Sequence, residues 1–168
     1  MQKLSEKDTW DILKNAFYGV LSTVSDDGTP YGVPLNHVLS ENKLYFHSSL
    51  EGHKLDNILM NPDVCFTVVG ETKMLPEIYT AHFKSVIAFG KIRKLEEPDE
   101  ITKAVFLLCE KNMPNHMENI NKVIAAHLSR LCALEMTIDL YNGESVRRLN
   151  ASLRTSALGW NSIKNSYE

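Results

Sequence analysis

The segment from Tyr45 to Lys54, which reads YFHSSLEGHK, gathers several groups that together can bind an anion. Two serine hydroxyls, a flexible glycine, an imidazole and the ammonium group of Lys54 fall within a few residues. The segment leads from the end of a predicted strand into the start of a predicted helix, where free backbone N–H groups add partial positive charge. This combination suits a phosphate monoester. The alternative is that Ser48 and Ser49 only cap the helix and that Lys54 is solvated.

A second segment, Tyr31-Gly32-Val33-Pro34-Leu35-Asn36, opens the strand that pairs with the first. Pro34 cannot donate a hydrogen bond to a neighbouring strand, so it belongs at an edge, at a bulge or beside a ligand. Asn36 is also an unusual residue for the middle of an ordinary ladder. The pair makes sense if the backbone here faces a planar ligand instead of another strand.

These two segments belong to a predicted antiparallel meander near the N terminus. The sequence predicts a helix over 6–16, where apolar residues recur at helical spacing after a capping-box-like start at Ser5. Strands over 18–24, 31–39 and 43–48 follow, joined by short turns such as Asp26-Asp27-Gly28.

The rest of the chain adds three helices and three strands. The predicted elements are a helix over 51–60, a strand over 64–69, a loop over 73–80, a strand over 82–95, a helix from about 96 that breaks at 112–115, a helix over 116–129 and a strand over 132–140. Gly90 suggests a bulge within its strand. The order predicts a mainly β fold with peripheral helices, a small antiparallel barrel. We expect one domain over 1–149 and a polar C-terminal tail over 150–168.

Composition and charge exclude several classes of protein. The net charge of -3 provides no general attraction for nucleic acid or anionic membranes. The chain has no apolar stretch of membrane-spanning length, and its polar start is not typical of a signal peptide. The three cysteines are odd in number and far apart, so we expect reduced thiols in a cytoplasmic protein. No spacing typical of a zinc site occurs, and no metal is expected.

Four ordered motifs resemble those of the split barrels that bind flavin mononucleotide (FMN) and are related to pyridoxamine 5'-phosphate oxidase. The similarity is strongest to the 5-nitroimidazole-resistance-like flavoproteins, and it covers about residues 8–141. The motifs are Pro30 to Asn36, Tyr45 to Lys54, Asn61 to Phe66 and Phe83 to Gly90. The resemblance implies a six-stranded antiparallel split β-barrel and a homodimer with an FMN site in each half.

The resemblance also implies a role for each matching residue. The isoalloxazine ring would be lined, partly through backbone groups, by Val33, Pro34, Leu35 and Asn36. His47 and Ser48 would lie at the junction of ring and ribityl chain, and the phosphate would be held by Ser49, His53 and Lys54. Ser85 and Val86 would reach the flavin across the dimer interface.

The chain departs from the oxidase at several of these positions. The oxidase has arginine where Tyr31 and His53 stand, and relatives often carry Gly-Lys where this chain has Gly143-Glu144. The signatures by which the oxidase binds the phosphate of its substrate are not visible. We therefore expect no useful oxidation of pyridoxamine 5'-phosphate.

His37 and His47 are the candidate catalytic residues. His37 follows the ring-facing segment and could relay a proton or contact a substrate, or it could be a surface histidine. A free histidine could also serve as an axial haem ligand, although no haem-attachment motif is present.

The expected activity is that of a flavin-dependent oxidoreductase that reduces small oxidised substrates such as nitroimidazoles. NADH or NADPH would bind transiently as the electron donor, because no Rossmann-type GxGxxG motif occurs. The alternatives are a non-catalytic protein that stores, senses or sequesters flavin or haem, and a dimeric scaffold without a ligand.

Overall fold

The computed structural model describes residues 2–146. It contains seven strands and four helices, with short 3₁₀ turns at Pro76–Ile78, Pro114–His116 and Leu128–Arg130. The strands are β1 (Gln2–Lys3), β2 (Tyr18–Val24), β3 (Pro30–Ser40), β4 (Lys43–Ser48), β5 (Asp63–Leu75), β6 (Thr80–Lys94) and β7 (Cys132–Val146). The helices are α1 (Glu6–Asn15), α2 (His53–Met60), α3 (Pro98–Asn112) and α4 (Ile120–His127).

The strands form a closed antiparallel barrel in the order β7-β4-β3-β2-β5-β6, and β6 pairs back with β7. The short strand β1 adds to β7 outside this ring through Gln2 and Lys3. The predicted six-stranded barrel with peripheral helices is therefore confirmed. The seventh strand was not predicted, because two residues carry no periodic pattern.

The barrel interior is filled by side chains that alternate along each strand. Phe46 and Phe66 lie at its centre with no exposed surface, and their rings contact edge to face at a centroid distance of 5.0 Å. Helix α1 packs beside them through the buried Leu13. Its N terminus is capped by Ser5, whose side chain accepts a hydrogen bond from the Asp8 N–H at 3.1 Å.

A smaller apolar cluster holds α3 against the outside of β4 and β7. Tyr45 and Ala133 project outward from the sheet and pack against Ala104 and Leu108 of the helix. The cluster fixes the position of the C-terminal end of α3, which contributes side chains to the site described below.

One predicted feature of β6 and its neighbouring strands is corrected, and another is confirmed. The predicted loop over 73–80 is wrong, because the ladder resumes at Thr72 after a register shift and continues to a turn at the tip. The predicted irregularity at Gly90 is confirmed, since the β6–β7 register shifts between Phe89 and Gly90. A β-carbon at Gly90 would collide with the carbonyl oxygen of Thr137, so the close strand contact needs glycine.

The remaining differences are small. The helix predicted over 116–129 is shorter and is flanked by 3₁₀ turns. The polar tail predicted over 150–168 lies outside the described residues.

The barrel wall opens between β3 and β4. The ladder between these strands covers only His37 to Ser40 on β3 and Lys43 to Phe46 on β4. Over Pro30 to Asn36, β3 pairs with β2 on one edge, and among the described residues no strand pairs with its other edge. We call this gap the split.

Candidate functional site

One end of the split is formed by the turn that follows β4. Lys54 Nζ donates to Ser49 Oγ at 3.2 Å, and Ser49 Oγ donates to the Glu51 carbonyl at 2.8 Å. Gly52 allows this turn because its φ of 128° lies in the region that favours glycine. No described side chain caps the N terminus of α2, so its first N–H groups can bind an anion together with Lys54.

His53 lies beside this turn and contacts two residues from the other side of the split. Its Nε2 is 3.0 Å from Ser25 Oγ, and its ring meets the ring of Tyr31 edge to face at a centroid distance of 4.7 Å. These contacts connect the β2–β3 turn with the start of α2. Ser25 was not among the predicted site residues, because the contact joins segments 28 residues apart.

Ser48 is buried at the end of β4, and its hydroxyl finds no hydrogen-bond partner in the described structure. A buried hydroxyl without a partner is costly unless a ligand satisfies it. The hydroxyl, the Ser49–Lys54 pair and the uncapped helix N terminus together fit the polar end of a phosphorylated cofactor.

At the other end of the split, His47 is exposed and lines a pocket of about 500 Å³. Most of the pocket wall is apolar, and α3 and the start of β2 contribute the larger part of it. The lining residues are Phe17, Tyr18, Asn36, His47, Val105, Leu108, Cys109, Asn112, Met113 and Leu131. None of these residues is a lysine or an arginine.

Asn36 and Asn112 form a reciprocal amide pair at the wall of this pocket. Asn36 Nδ2 donates to Asn112 Oδ1 at 3.2 Å, and Asn112 Nδ2 donates to Asn36 Oδ1 at 2.7 Å. The second N–H of the Asn36 amide donates to the Phe17 carbonyl, and that of the Asn112 amide donates to the Leu108 carbonyl. Both amides can therefore accept further hydrogen bonds, but their donors are engaged.

Lys111 reinforces this junction from the side of α3. Its Nζ donates to the carbonyl oxygens of Ala16 and His37 at 2.7 and 2.9 Å. Burial lowers the pKa of Lys111 to about 8. Lys111 and Asn112 join the end of α3 to β3, and sequence analysis missed both because their partners lie more than 70 residues away.

His37 does not face the split, and both interpretations made from the sequence are corrected. Its side chain has no exposed surface, lies edge-on to Phe66, and bonds through Nε2 to the Leu13 carbonyl at 2.7 Å. Burial lowers its pKa to about 4, so the imidazole is neutral at physiological pH. His37 is neither a surface histidine nor placed to contact a substrate.

The other residues that we expected to contact the flavin differ in their exposure. Pro34 is exposed at the open edge of β3, whereas Val33 and Leu35 pack against the barrel core. Ser85 is half-buried in β6 opposite Val69. Val86 is fully buried in the core, so its side chain is not available for contact across an interface.

Two absences apply to residues 2–146. No three histidine, cysteine, aspartate or glutamate side chains there are grouped so that they could hold a metal ion. No helix in this part of the chain is long and apolar enough to cross a membrane.

A family model described as pyridoxamine 5'-phosphate oxidase matches residues 5–144 of the chain. Comparison with curated proteins finds none that matches. Among solved structures, 107 chains match.

Three of these structures illustrate the range of relatives. A protein from Bacteroides thetaiotaomicron, described as a 5-nitroimidazole antibiotic resistance protein, is 20% identical over 84% of each chain, with a TM-score of 0.72. A FAD-binding protein from Mesorhizobium loti is 22% identical over 87% of this chain and 98% of its own, with a TM-score of 0.60. A FAD and heme binding protein from Mycobacterium smegmatis is 16% identical over 86% of this chain and 72% of its own, with a TM-score of 0.64. At these identities the likeness shows the fold alone.

Proposed function

Because this chain belongs to the pyridoxamine 5'-phosphate oxidase family, we propose that it binds FMN in the split and reduces small oxidised substrates. The observation that carries the proposal is the opening between β3 and β4 with an anion-binding turn at one end and an apolar pocket at the other. The two ends lie near Tyr31 and Asn36 of β3, which are five residues apart. Five residues of strand span roughly 17 Å, enough for a ribityl phosphate and a fused ring system to lie along the open edge.

The phosphate end is suited to a dianion. Ser49, Lys54 and the first N–H groups of α2 would hold the phosphate, and the Ser48 hydroxyl would gain the partner that it lacks within the protein. The flavin would supply the redox chemistry, taking two electrons from NADH or NADPH and giving them to a substrate. The protein orients the cofactor and leaves the open pocket for the donor and the substrate in turn.

The pocket beside His47 favours an uncharged, planar substrate with a polar edge. Its wall is mostly apolar, and the amide donors of Asn36 and Asn112 are engaged with each other and with backbone carbonyls. His47 and the Tyr18 hydroxyl line the pocket and could donate to a nitro group there. A nitroimidazole has this character, whereas a phosphorylated substrate would find no cation among the lining residues.

The proposed assembly is a homodimer that covers the split. Outward-facing apolar side chains on β2 and β5, those of Tyr18, Val20, Val24 and Val69, are 39–58% exposed and lie on the outer face of the sheet that continues from β3. Water contact with such a strip is unfavourable, and a twofold contact would bury it in both copies. Ser85 opposite Val69 lies on the same side of the sheet.

The visible spectrum of the purified protein tests the cofactor, and a turnover assay tests the activity. The proposal expects flavin absorption bands and oxidation of NADH or NADPH that depends on an added nitroimidazole. A Soret band would instead support haem binding, which one structural relative is named for. Flavin bands without turnover would support a flavin-sequestering protein. A colourless protein that cannot take up FMN would refute the proposal.

A further inference from the structure

Flavin cofactors end either in one phosphate or in a pyrophosphate that carries adenosine, and relatives of this chain include proteins named as FAD-binding. We infer that Asp27 makes this site selective for the flavin with a single phosphate by repelling the second phosphate of a dinucleotide. The inference rests on the proposed flavin site and concerns its phosphate end.

Asp27 is held in one place by the β2–β3 turn. Its Oδ1 accepts a hydrogen bond from the Thr29 N–H at 2.9 Å. Within the same turn, the Gly28 N–H donates to the Ser25 carbonyl, and the Ser25 N–H donates to the Thr29 carbonyl, both at 2.9 Å. Gly28 has a φ of 84°, which the tight turn requires. The carboxylate therefore belongs to a defined turn rather than to a free loop.

This turn is in direct contact with the phosphate end of the split. Ser25 bonds to His53, and His53 immediately precedes Lys54 in α2. The hydrogen bonds from Thr29, followed by smaller effects that include the charge of His53, lower the pKa of Asp27. Asp27 is thus ionised at neutral pH and lies two residues along the turn from Ser25, which contacts His53.

The charges at this end suffice for one phosphate. Lys54 and the N terminus of α2 supply the positive charge, and Ser49 helps to orient the Lys54 ammonium group by accepting its hydrogen bond. Beyond them, Asp27 belongs to the turn whose Ser25 contacts His53, and the exposed Glu51 lies two residues after Ser49. A chain that continued past the phosphate would bring another anionic group towards one of these carboxylates. Like charges at such separations cost binding free energy, and salt screens the effect.

The experiment compares riboflavin, FMN and FAD binding to the apoprotein by quenching of flavin fluorescence. The variants are Asp27→Asn, which keeps an oxygen that can accept from Thr29, and Asp11→Asn, which removes an exposed carboxylate on α1. We expect wild type to bind FMN more tightly than FAD. Asp27→Asn should reduce the ratio of the FAD and FMN dissociation constants by about tenfold, and Asp11→Asn should leave it unchanged.

Raising the salt concentration provides a second measurement. It should lower the same ratio more in wild type than in Asp27→Asn, because only wild type has the carboxylate whose repulsion salt would screen. Equal affinity of wild type for FMN and FAD, or an unchanged ratio in Asp27→Asn, would overturn the inference. If none of the three flavins bound to wild type, the proposed function itself would fail, and this inference with it.

Discussion

Replacing Lys54 with alanine should weaken FMN binding by about tenfold to a hundredfold and leave riboflavin binding nearly unchanged. The Lys54 ammonium lies 3.2 Å from Ser49 Oγ, next to the uncapped N terminus of α2. These groups converge on the place where we position the phosphate. Riboflavin lacks that phosphate, so the variant removes nothing that riboflavin contacts.

The magnitude follows from the loss of one charge-assisted hydrogen bond. Such a bond contributes roughly 1.5–3 kcal/mol. At about 1.4 kcal/mol per factor of ten, this corresponds to one to two decades in the dissociation constant. The net charge of the chain is -3, so long-range attraction cannot compensate for the lost local contact.

The assay is titration of FMN and riboflavin into apoprotein, followed by fluorescence quenching. Lys122→Ala is the matched control, because it removes an exposed lysine from α4 and changes the net charge equally. Lys54 is half-buried and outside the core, so we expect the thermal unfolding midpoint of Lys54→Ala to stay close to that of wild type. Equal losses for the two flavins would show that Lys54 acts through the fold. An unchanged FMN affinity would show that the phosphate binds elsewhere.

Three further predictions concern the barrel and its assembly. The pKa of His37 falls from about 6.5 in the unfolded chain to about 4 in the fold. As the pH falls, the unfolded state therefore takes up the proton first. The free energy of unfolding should decrease by about 3 kcal/mol from pH 6.5 to pH 4. Urea unfolding of wild type and His37→Gln at both pH values checks this, and an equal pH dependence in the two would contradict it. Gly90→Ala should destabilise the barrel by about 1–3 kcal/mol or prevent folding, because its β-carbon would meet the Thr137 backbone. Gly70→Ala should be tolerated. Similar urea unfolding midpoints for the two variants would refute this prediction. Sedimentation of the flavin-loaded protein should give a dimer, and a monomer near 19.0 kDa with tightly bound flavin would disprove the proposed assembly.

Local pattern was enough to predict most of the elements and the grouping of polar residues at one end of the candidate site. The strands, the helix capped by Ser5 and the irregularity at Gly90 follow from short-range periodicity and from turn residues. The open edge at Pro34 was also foreseeable, because proline cannot donate to a ladder wherever it lies. The sequence likewise places Ser49 and Lys54 on one turn, since only Gly52 and a few neighbours separate them.

Tertiary structure alone decided which residues meet where α3 packs against the barrel. Asn36 and Asn112 are 76 residues apart, and their amide pair depends on how α3 packs against the barrel. Lys111 looks like an ordinary helix-end lysine until α3 brings it against the carbonyl oxygens of Ala16 and His37. No local period encodes such contacts, because they arise from the closing of the sheet and the packing of helices onto it.

The same reason explains the misjudged histidine. His37 and Asn36 are neighbours in sequence, and adjacent residues of a strand project to opposite faces. Which face becomes the core depends on the closure of β6 onto β7 and on the packing of Phe66 against His37. The sequence determined that a histidine follows the strand segment that we expect to face the flavin. The barrel decided that its side chain points inward, where burial keeps it neutral.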